Sequence, residues 1–525
     1  MTSPILLRRW FFITLLSTCF ASAAAPALTV HTRSCVETAK GSGNWQLSEH
    51  PAALDPQRTA IVLCDMWDTH TCSNSARRVA EMAPRMNDVV KKAREQGVFI
   101  IHCPSDTMKF YEGALGRKLA QAAPKVEPKV PLQRWCSLDK RKEPSLPIDD
   151  SDGGCDSGTP WPKGQPYPWT RQITTIEIKD GDAITDSAEA YFLMRERGIT
   201  NVIVMGVHLN MCVLGRPFSI RQMVAQGQNV LLMRDLTDTM YNPRQSPYVP
   251  HCVGNDLMVG HVEKFWCPTI ASTAFLGGAE FRFKEDQRPH AVFLIGEDEY
   301  KTWETLPAFA TNELAWRGFR LSIIQQSADD KHHFPGFMEA MRDADLLFVS
   351  ARRRALPKEQ LDAVRAHLAA GRPLVGIRTA SHAFAPRGKD AGQGDAWPTF
   401  DPDVLGGNYN NHWGAGPKTT IEAARTAASE ILTGVDLAQL SGHGSLYKVS
   451  PLQPAAEPLL IGYIPDKPAE PVAWTHTFGP KHARIFYTSL GHWDDFTEPA
   501  FRRLLLNAVL WCVGRPVPPE DAAAR

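Results

Sequence analysis

The 525-residue chain carries 57 Lys+Arg and 57 Asp+Glu, 22% charged in all, which suits folded domains and excludes a mostly disordered protein. With zero formal net charge it has no general attraction for nucleic acid or an anionic membrane surface. At roughly 100–200 residues per domain, two or three domains are expected, and 40 prolines with 14 tryptophans point to long, rigid connections.

The N-terminus has the order of a secretory signal. Arg8 and Arg9 precede an apolar run, Trp10 to Phe20, and Ala21-Ser22-Ala23 supplies small residues for cleavage after Ala23. The apolar run is too short for a comfortable membrane span, so the mature chain (24 onward) is expected to be periplasmic or secreted, without a membrane span. Arg8-Arg9-Trp10-Phe11-Phe12 fits either a twin-arginine or an ordinary Sec signal. Leu16-Ser17-Thr18-Cys19 is a poor lipoprotein box, because threonine precedes the cysteine. Loss of Cys19 leaves ten of eleven cysteines in a compartment that permits disulfides. Cys136 with Cys155, then Cys252 with Cys267, are the first candidate pairs, although connectivity is not readable from sequence. No CxxC spacing supports structural zinc.

From Arg58 onward, apolar runs alternate with helical stretches. Thr59–Cys64 (TAIVLC), Gly97–His102, Ile173–Ile178, Asn201–Gly206 and Asn229–Met233 read as strands. Helices fall at about Ala76–Gln96, Ser187–Arg197 and up to Gln226. This alternation predicts a parallel sheet with helices on both faces. Between the second and third runs, about Pro104–Arg171, a Pro-rich charged stretch reads as an insertion arching over the strand ends. Its acidic cluster, Asp149–Asp156, lacks EF-hand spacing and reads as a solvated turn.

The alternation restarts after Gln287-Arg288-Pro289. Ala291–Ile295, Arg320–Ile324, Leu346–Ser350 and Pro373–Ile377 are expected strands, with helices around Leu306–Trp316, Pro335–Met341 and Pro357–Ala369. Val472–Phe478 and Arg484–Ser489 read as a hairpin and Glu498–Cys512 as a closing helix. The expected layout is thus a signal (1–23), a first domain (24–286), a second domain (287–516) and a tail (517–525). Both domains are expected to be three-layer α/β/α units with mainly parallel sheets.

Residues just past parallel strands line the ligand-binding edge. In the first domain these are Asp65, Lys179 and the run Gly206-Val207-His208-Leu209-Asn210-Met211-Cys212. A thiolate is the attacking form of cysteine, favoured by a helix N-terminus and a nearby cation. An adjacent carboxylate takes the thiol proton and returns it to a leaving amine. Pro217, five residues after Cys212, weakens the helix argument, because proline inside a helix costs about 3 kcal/mol.

VIVMGVHLNMCV resembles the nucleophile strand and turn of the isochorismatase-like cysteine hydrolases; IVLCDMWD resembles their first strand and IEIKDGDAITDS their lysine segment. The resemblance covers about Arg58 to Cys267. It implies a triad of Cys212 (nucleophile), Asp65 (base) and Lys179 (cation), with a cis peptide at Val207–His208 beside the oxyanion-binding N–H groups. The implied reaction is hydrolysis of a small amide or related C–N bond through a thioester. HCPSDTMKFYEG holds His102 and Asp106 but lacks the Asp-x-His of the family's metal-binding nicotinamidases. Asp68 and His70 have that spacing after the first strand and read as substrate contacts or a turn. Neither metal nor cofactor is expected; the expected partner is a small-molecule substrate, and homo-oligomer formation stays open.

VFLIGEDEYKTWETLPAF and HARIFYTSLGHWDDFTEPAFRRLLLNAVLWCVGRP resemble the ThuA-like (trehalose-utilisation) family, related in fold to class I glutamine amidotransferases. This resemblance runs from about Pro289 to Pro516. The turn that carries the amidotransferase cysteine corresponds to Ile377-Arg378-Thr379-Ala380-Ser381-His382, which has none, so glutaminase chemistry is not expected. Glu297, His382, His412 and His492 are the candidate pocket, with Trp413 and Trp493 placed to stack on a sugar. The alternative to the cysteine hydrolase is therefore activity or binding in this domain, on a glycoside or oxidised sugar.

Overall fold

A computed structural model describes residues 27–37, 40–41, 45–158, 161–162, 164–414, 416–425 and 429–519. The expected signal (1–23) and most of the expected tail lie outside the described residues. The chain builds two large mixed sheets, each with helices on both faces: an α/β architecture.

The first sheet contains β1 (Leu28–Glu37), β2 (Trp45–Leu54), β3 (Thr59–Cys64), β4 (Phe99–Cys103), β5 (Ala183–Ile184), β6 (Asn201–Val207), β7 (Asn229–Asp238) and β8 (Thr269–Ile270). Their order is β2-β1-β8-β7-β6-β3-β4-β5. The strands from β8 to β5 run parallel, while β1 pairs antiparallel with both β2 and β8. All six residues of β3 are buried, as expected for a central strand covered on both faces. Ala60, Val62 and Cys64 enter one core; Ile61 and Leu63 enter the other, following the two-residue strand period. Helix α1 (Ser73–Glu95) closes the second core with Val79, Met82, Ala83, Met86, Val90 and Ala93, spaced by three or four.

One expected strand is displaced. Ile173–Ile178 is turn and irregular chain, and the strand is the dipeptide Ala183–Ile184. Glu177 and Lys179 alternate with Ile176 and Ile178 as in a strand, but Gln172 and Ile176 are held by bonds to Tyr111 and to each other instead of a ladder.

The insertion carries α2 (Leu115–Ala122) and then runs across the strand ends. Its acidic cluster is not a solvated turn. Asp150 accepts from Asn210 at 2.8 Å, Asp152 from Asn242 at 2.7 Å and Asp156 from Arg78 at 2.8 Å. Each carboxylate is spent anchoring the loop. Gly154, at φ 69°, lies so close to the Met240 carbonyl that a Cβ would stand 2.1 Å from its oxygen, so only glycine permits this approach. A disulfide joins Cys72, just before α1, to Cys155. Neither pair favoured by sequence forms: Cys136 is free because Cys155 faces the base of α1 across 83 residues of sequence, and Cys252 and Cys267 are free thiols too.

The second sheet contains β9 (His290–Gly296), β10 (Arg320–Gln325), β11 (Leu346–Ala351), β12 (Leu374–Ile377), β14 (Thr419–Ala423), β15 (Ser441–Gly442), β17 (Glu457–Tyr463), β18 (Glu470–Phe478) and β19 (Ala483–Thr488). The short β13 (Asn411–His412) and β16 (Tyr447–Lys448) pair separately. The order is β10-β9-β11-β12-β19-β18-β17-β14-β15; the first five are parallel and the remainder antiparallel. The terminal helix Pro499–Cys512 packs Phe501, Leu504, Leu505, Ala508 and Cys512 into one of its cores, so Cys512 is a core residue.

Candidate active site

In the first sheet the chain runs from β3 outward to β4 and β5, then returns to β6 on the other side of β3. The crevice between β3 and β6 is therefore the switch point where open α/β sheets take ligands. Asp65 follows β3 and Cys212 follows β6, so topology brings them together across 147 residues of sequence.

Asp65 is wholly buried and sits at φ 49°, a left-handed conformation uncommon outside glycine. Its Oδ1 accepts from the Ser105 N–H at 2.8 Å. No N–H or O–H donor reaches Oδ2 among the described residues; the Cys212 thiol and the Arg216 guanidinium, whose Nε lies 3.7 Å from it, act on this carboxylate. Burial raises the Asp65 pKa, against the opposing pull of Arg216 and of the bonds from Cys212 and Ser105. Cys212 is partly accessible, yet burial and the Asp65 charge push its thiol well up, while Arg216 pulls it down. Burial thus favours the protonated form of both groups, and Arg216 opposes it at both.

The peptide Val207–His208 is cis, as the family resemblance implies. Pro217 does interrupt the helix: Cys212–Gly215 is a single turn, and a second short helix spans Ile220–Ala225. With so little aligned backbone, the cation beside the thiol is the stronger electrostatic influence.

That cation is Arg216, not Lys179. Because β5 begins at Ala183, Lys179 stands before its strand and hence at the wrong end of the sheet. Its ammonium pairs with Glu177 at 2.7 Å and its side chain is 56% exposed. Arg216 lies one helical turn after Cys212, on the same face, and spans Asp65 and Asp106, the latter at 3.4 Å. The i+4 spacing was readable in the sequence; what concealed it was the family's lysine and the proline that follows.

Asp68 is likewise committed elsewhere. It accepts from the Thr170 N–H at 3.0 Å and hydroxyl at 2.7 Å, pinning the end of the insertion. His70 accepts from the Cys72 N–H at 3.0 Å and stacks on Trp67 and Trp169, with ring centroids 5.8 and 5.4 Å away. Burial lowers its pKa to about 4. His208 is buried against Ser75 (2.5 Å) and edge-on to His70, and burial followed by His70 depresses it as well. Trp67, Trp169 and Tyr167 form a continuous stack with 4.3 Å spacings, an aromatic wall with one ring from the strand end and two from the insertion. Trp135, also from the insertion, lies against Gly215 and over Arg216. Behind the wall, Arg78 joins Asp238 (2.7 Å) to Asp156, and His251 bonds Asp238 from the other side (2.8 Å). His102 bonds Gln172 and Asp182, so it belongs to the support rather than to a metal site.

In the second sheet the switch point lies between β9 and β11. Glu297 follows β9 but accepts from the N–H groups of Glu299, Tyr300 and Thr302 and from the Thr302 hydroxyl, all at 2.7 Å. It is a structural cap and not a free acid. His382 is buried and stacked on Tyr409 at 4.7 Å, while His412 is exposed near Tyr447. His492 lies between His443 and Trp493. The histidines thus divide into two groups, and among the described residues no cluster of three His, Cys, Asp or Glu could hold a metal ion. Trp413 packs under Lys448.

A cavity of about 540 Å³ lies between the halves, lined by Arg33, Glu49, Arg234, Glu280, Arg320 and Asp343; neither Cys212 nor Arg378 lines it. Among the described residues no helix is long and apolar enough to cross a membrane.

Residues 303–512 match the ThuA family, described as trehalose utilisation, so the C-terminal half carries a ThuA domain. No curated protein matches the chain. Among solved structures, a ThuA-like protein from Bacteroides uniformis is 18% identical, with TM-score 0.34, and covers 45% of this chain and 95% of its own. A cysteine hydrolase from Pseudomonas syringae pv. phaseolicola is 15% identical, with TM-score 0.26, and covers 42% and 91%. An isochorismatase from Pseudomonas putida is 13% identical, with TM-score 0.25, and also covers 42% and 91%.

Proposed function

We propose that the first domain is a cysteine hydrolase of a small amide or related C–N bond, with Cys212 as nucleophile, Asp65 as base and Arg216 as the supporting cation. The observation that carries this reading is the Asp65 carboxylate: wholly buried, with one oxygen lacking any N–H or O–H donor among the described residues, beside a thiol at the sheet's switch point. A buried carboxylate left this way costs stability, and such costs concentrate where chemistry needs them.

In this mechanism Asp65 takes the thiol proton and the Cys212 sulfur attacks the carbonyl carbon. The N–H groups of His208 and Cys212 hold the oxyanion. As the tetrahedral intermediate collapses, the C–N bond breaks, Asp65 protonates the leaving amine and a thioester remains. Water, deprotonated by Asp65, cleaves the C–S bond, releasing the acid and restoring the thiol. Arg216 keeps Asp65 ionisable despite its burial. The aromatic wall of Trp67, Trp169 and Tyr167 favours a flat or apolar substituent on the substrate. In this reading the first 23 residues direct the enzyme to the periplasm or outside the cell.

The test is a screen of small amides for amine release, with Cys212→Ala and Asp65→Asn as controls. Turnover lost in both variants, with unchanged circular dichroism, supports the reading; turnover retained in Cys212→Ala sinks it. A second reading places activity or binding in the second domain, on a sugar-derived ligand; the ThuA match and the arginine-rich crevice favour it.

A further inference from the structure

In the crevice of the second domain, Arg353, Arg378 and Arg387 have no carboxylate partner among the described residues, whereas their neighbour Arg352 pairs with Glu299. Arg353 follows β11 and Arg378 follows β12; both have left-handed φ, 52° and 44°, a conformation that costs a long side chain energy and recurs at binding sites. Arg378 is only 2% exposed, yet among the described residues no carboxylate pairs with it. It donates to the Ser489 carbonyl (2.6 Å), the Tyr300 hydroxyl (3.3 Å) and Ser445 (3.1 and 3.2 Å), and its Nε has no partner among the described residues. The rings of Tyr300 and Tyr447 flank it, at 4.5 and 4.4 Å.

Arg353 is partly buried, and among the described residues its guanidinium bonds one acceptor, the Ala385 carbonyl, at 3.2 Å. Arg387 is exposed and forms no ion pair among the described residues. Three carboxylates on neighbouring loops are already occupied: Glu297 by its own loop, Glu299 by Arg352, and Asp495 by His443 and the N–H groups of Gly491 and His492. The Arg353 N–H donates to the His382 carbonyl at 3.0 Å and its guanidinium to the Ala385 carbonyl, two residues before Arg387, so these arginines and His382 share one short turn. Burial, then the charges of Arg353, Arg352, Arg387 and Arg378, holds the His382 pKa well below its usual value. Burying unpaired cations is costly, and a guanidinium fork matches a carboxylate in two bonds. Half-buried Tyr409, stacked on His382, offers a ring face beside them.

The geometry points to a binding site for a small carboxylate of the sugar-acid class, with Arg353 and Arg387 taking the anion, Arg378 supplying charge from behind, and Tyr409 carrying the ring. This deepens the second reading above and is independent of Cys212.

Isothermal titration calorimetry of the full chain tests it, with D-glucuronate, D-glucose and inorganic phosphate as probes. Expected are saturable binding of glucuronate, at least tenfold weaker binding in Arg353→Gln and in Arg387→Gln, and wild-type binding in Cys212→Ala. These positions spare the buried Arg378, whose loss could unfold the domain. Equal binding of glucose overturns the carboxylate inference while leaving the sugar reading standing. Phosphate alone binding overturns both the carboxylate and the sugar. Glucuronate binding unchanged in both arginine variants overturns the assigned residues, and no binding of any probe overturns the site.

Discussion

Replacing Arg216 with glutamine should disable Cys212 by way of its partner. In the native site Nε of Arg216 stands 3.7 Å from Asp65 Oδ2, and the arginine side chain is only 17% exposed. At an effective dielectric of about 20, opposite unit charges at that separation attract by about 4.5 kcal/mol, or roughly 3 pKa units. Asp65 already carries a pKa raised by burial, so removing the cation raises it further. Cys212 and Asp65 lose their first proton as a pair, and that first ionisation should move up by about 2–3 units. The assay is iodoacetamide labelling of Cys212 from pH 5 to 9, mapped by mass spectrometry. Cys64 and Cys103, fully buried nearby, give the background. On the acid limb the variant should label about 100-fold more slowly, and Arg216→Lys should recover most of the rate by restoring the charge. A labelling profile in Arg216→Gln that overlays the wild type would refute the assignment of Arg216 as the activating cation.

Three further outcomes follow from the same structure. Lys179→Met should change turnover by less than about twofold, since an exposed pair of this kind contributes little; a loss near that of Arg216→Gln would restore the lysine to the site. Arg78→Met leaves Asp238 buried beside His251 alone and should cost about 3–5 kcal/mol, lowering Tm by roughly 10 °C in a thermal scan. Burial favours protonation of Asp238, but Arg78 and then His251 hold its pKa well below the usual range. The stability that Arg78 contributes is therefore present above the unfolded carboxylate pKa of about 4 and is lost as pH falls through the folded value, so the two Tm curves should converge in acid. A constant gap down to pH 2 would count against this. Reducing the Cys72–Cys155 bond, which spans 83 residues, removes a constraint worth up to about 4.5 kcal/mol in the chain-entropy picture. Limited proteolysis should then cut within 124–171 at least several-fold faster, and an unchanged rate would mean that the carboxylate anchors suffice.

Sequence by itself determined the elements whose side chains repeat in register with their backbone. TAIVLC at Thr59–Cys64 and VFLI at Val292–Ile295 are buried strands because every residue after Thr59 in the first, and every residue of the second, is apolar, and the helix of Ser73–Glu95 shows its buried face at every third or fourth position. It also placed Asp65 just after β3 and Cys212 just after β6, because each lies in a short segment contiguous with its strand, while the cis peptide Val207–His208 came from the family resemblance. Contacts between distant segments were decided only by tertiary structure. The hairpin Leu28–Leu54 was missed because its strands carry many polar residues and are only partly buried. Cys155 pairs with Cys72, and Asp150, Asp152 and Asp156 become anchors, because the insertion folds back onto the strand ends. The slip from Ile173–Ile178 to Ala183–Ile184 moved Lys179 from the carboxyl end of a strand to its start, and the cation that stands beside Asp65 is Arg216. Residue type and local spacing name the groups able to do chemistry; strand order and register decide which of them meet, because a shift of a few residues carries a charge to the opposite edge of the sheet.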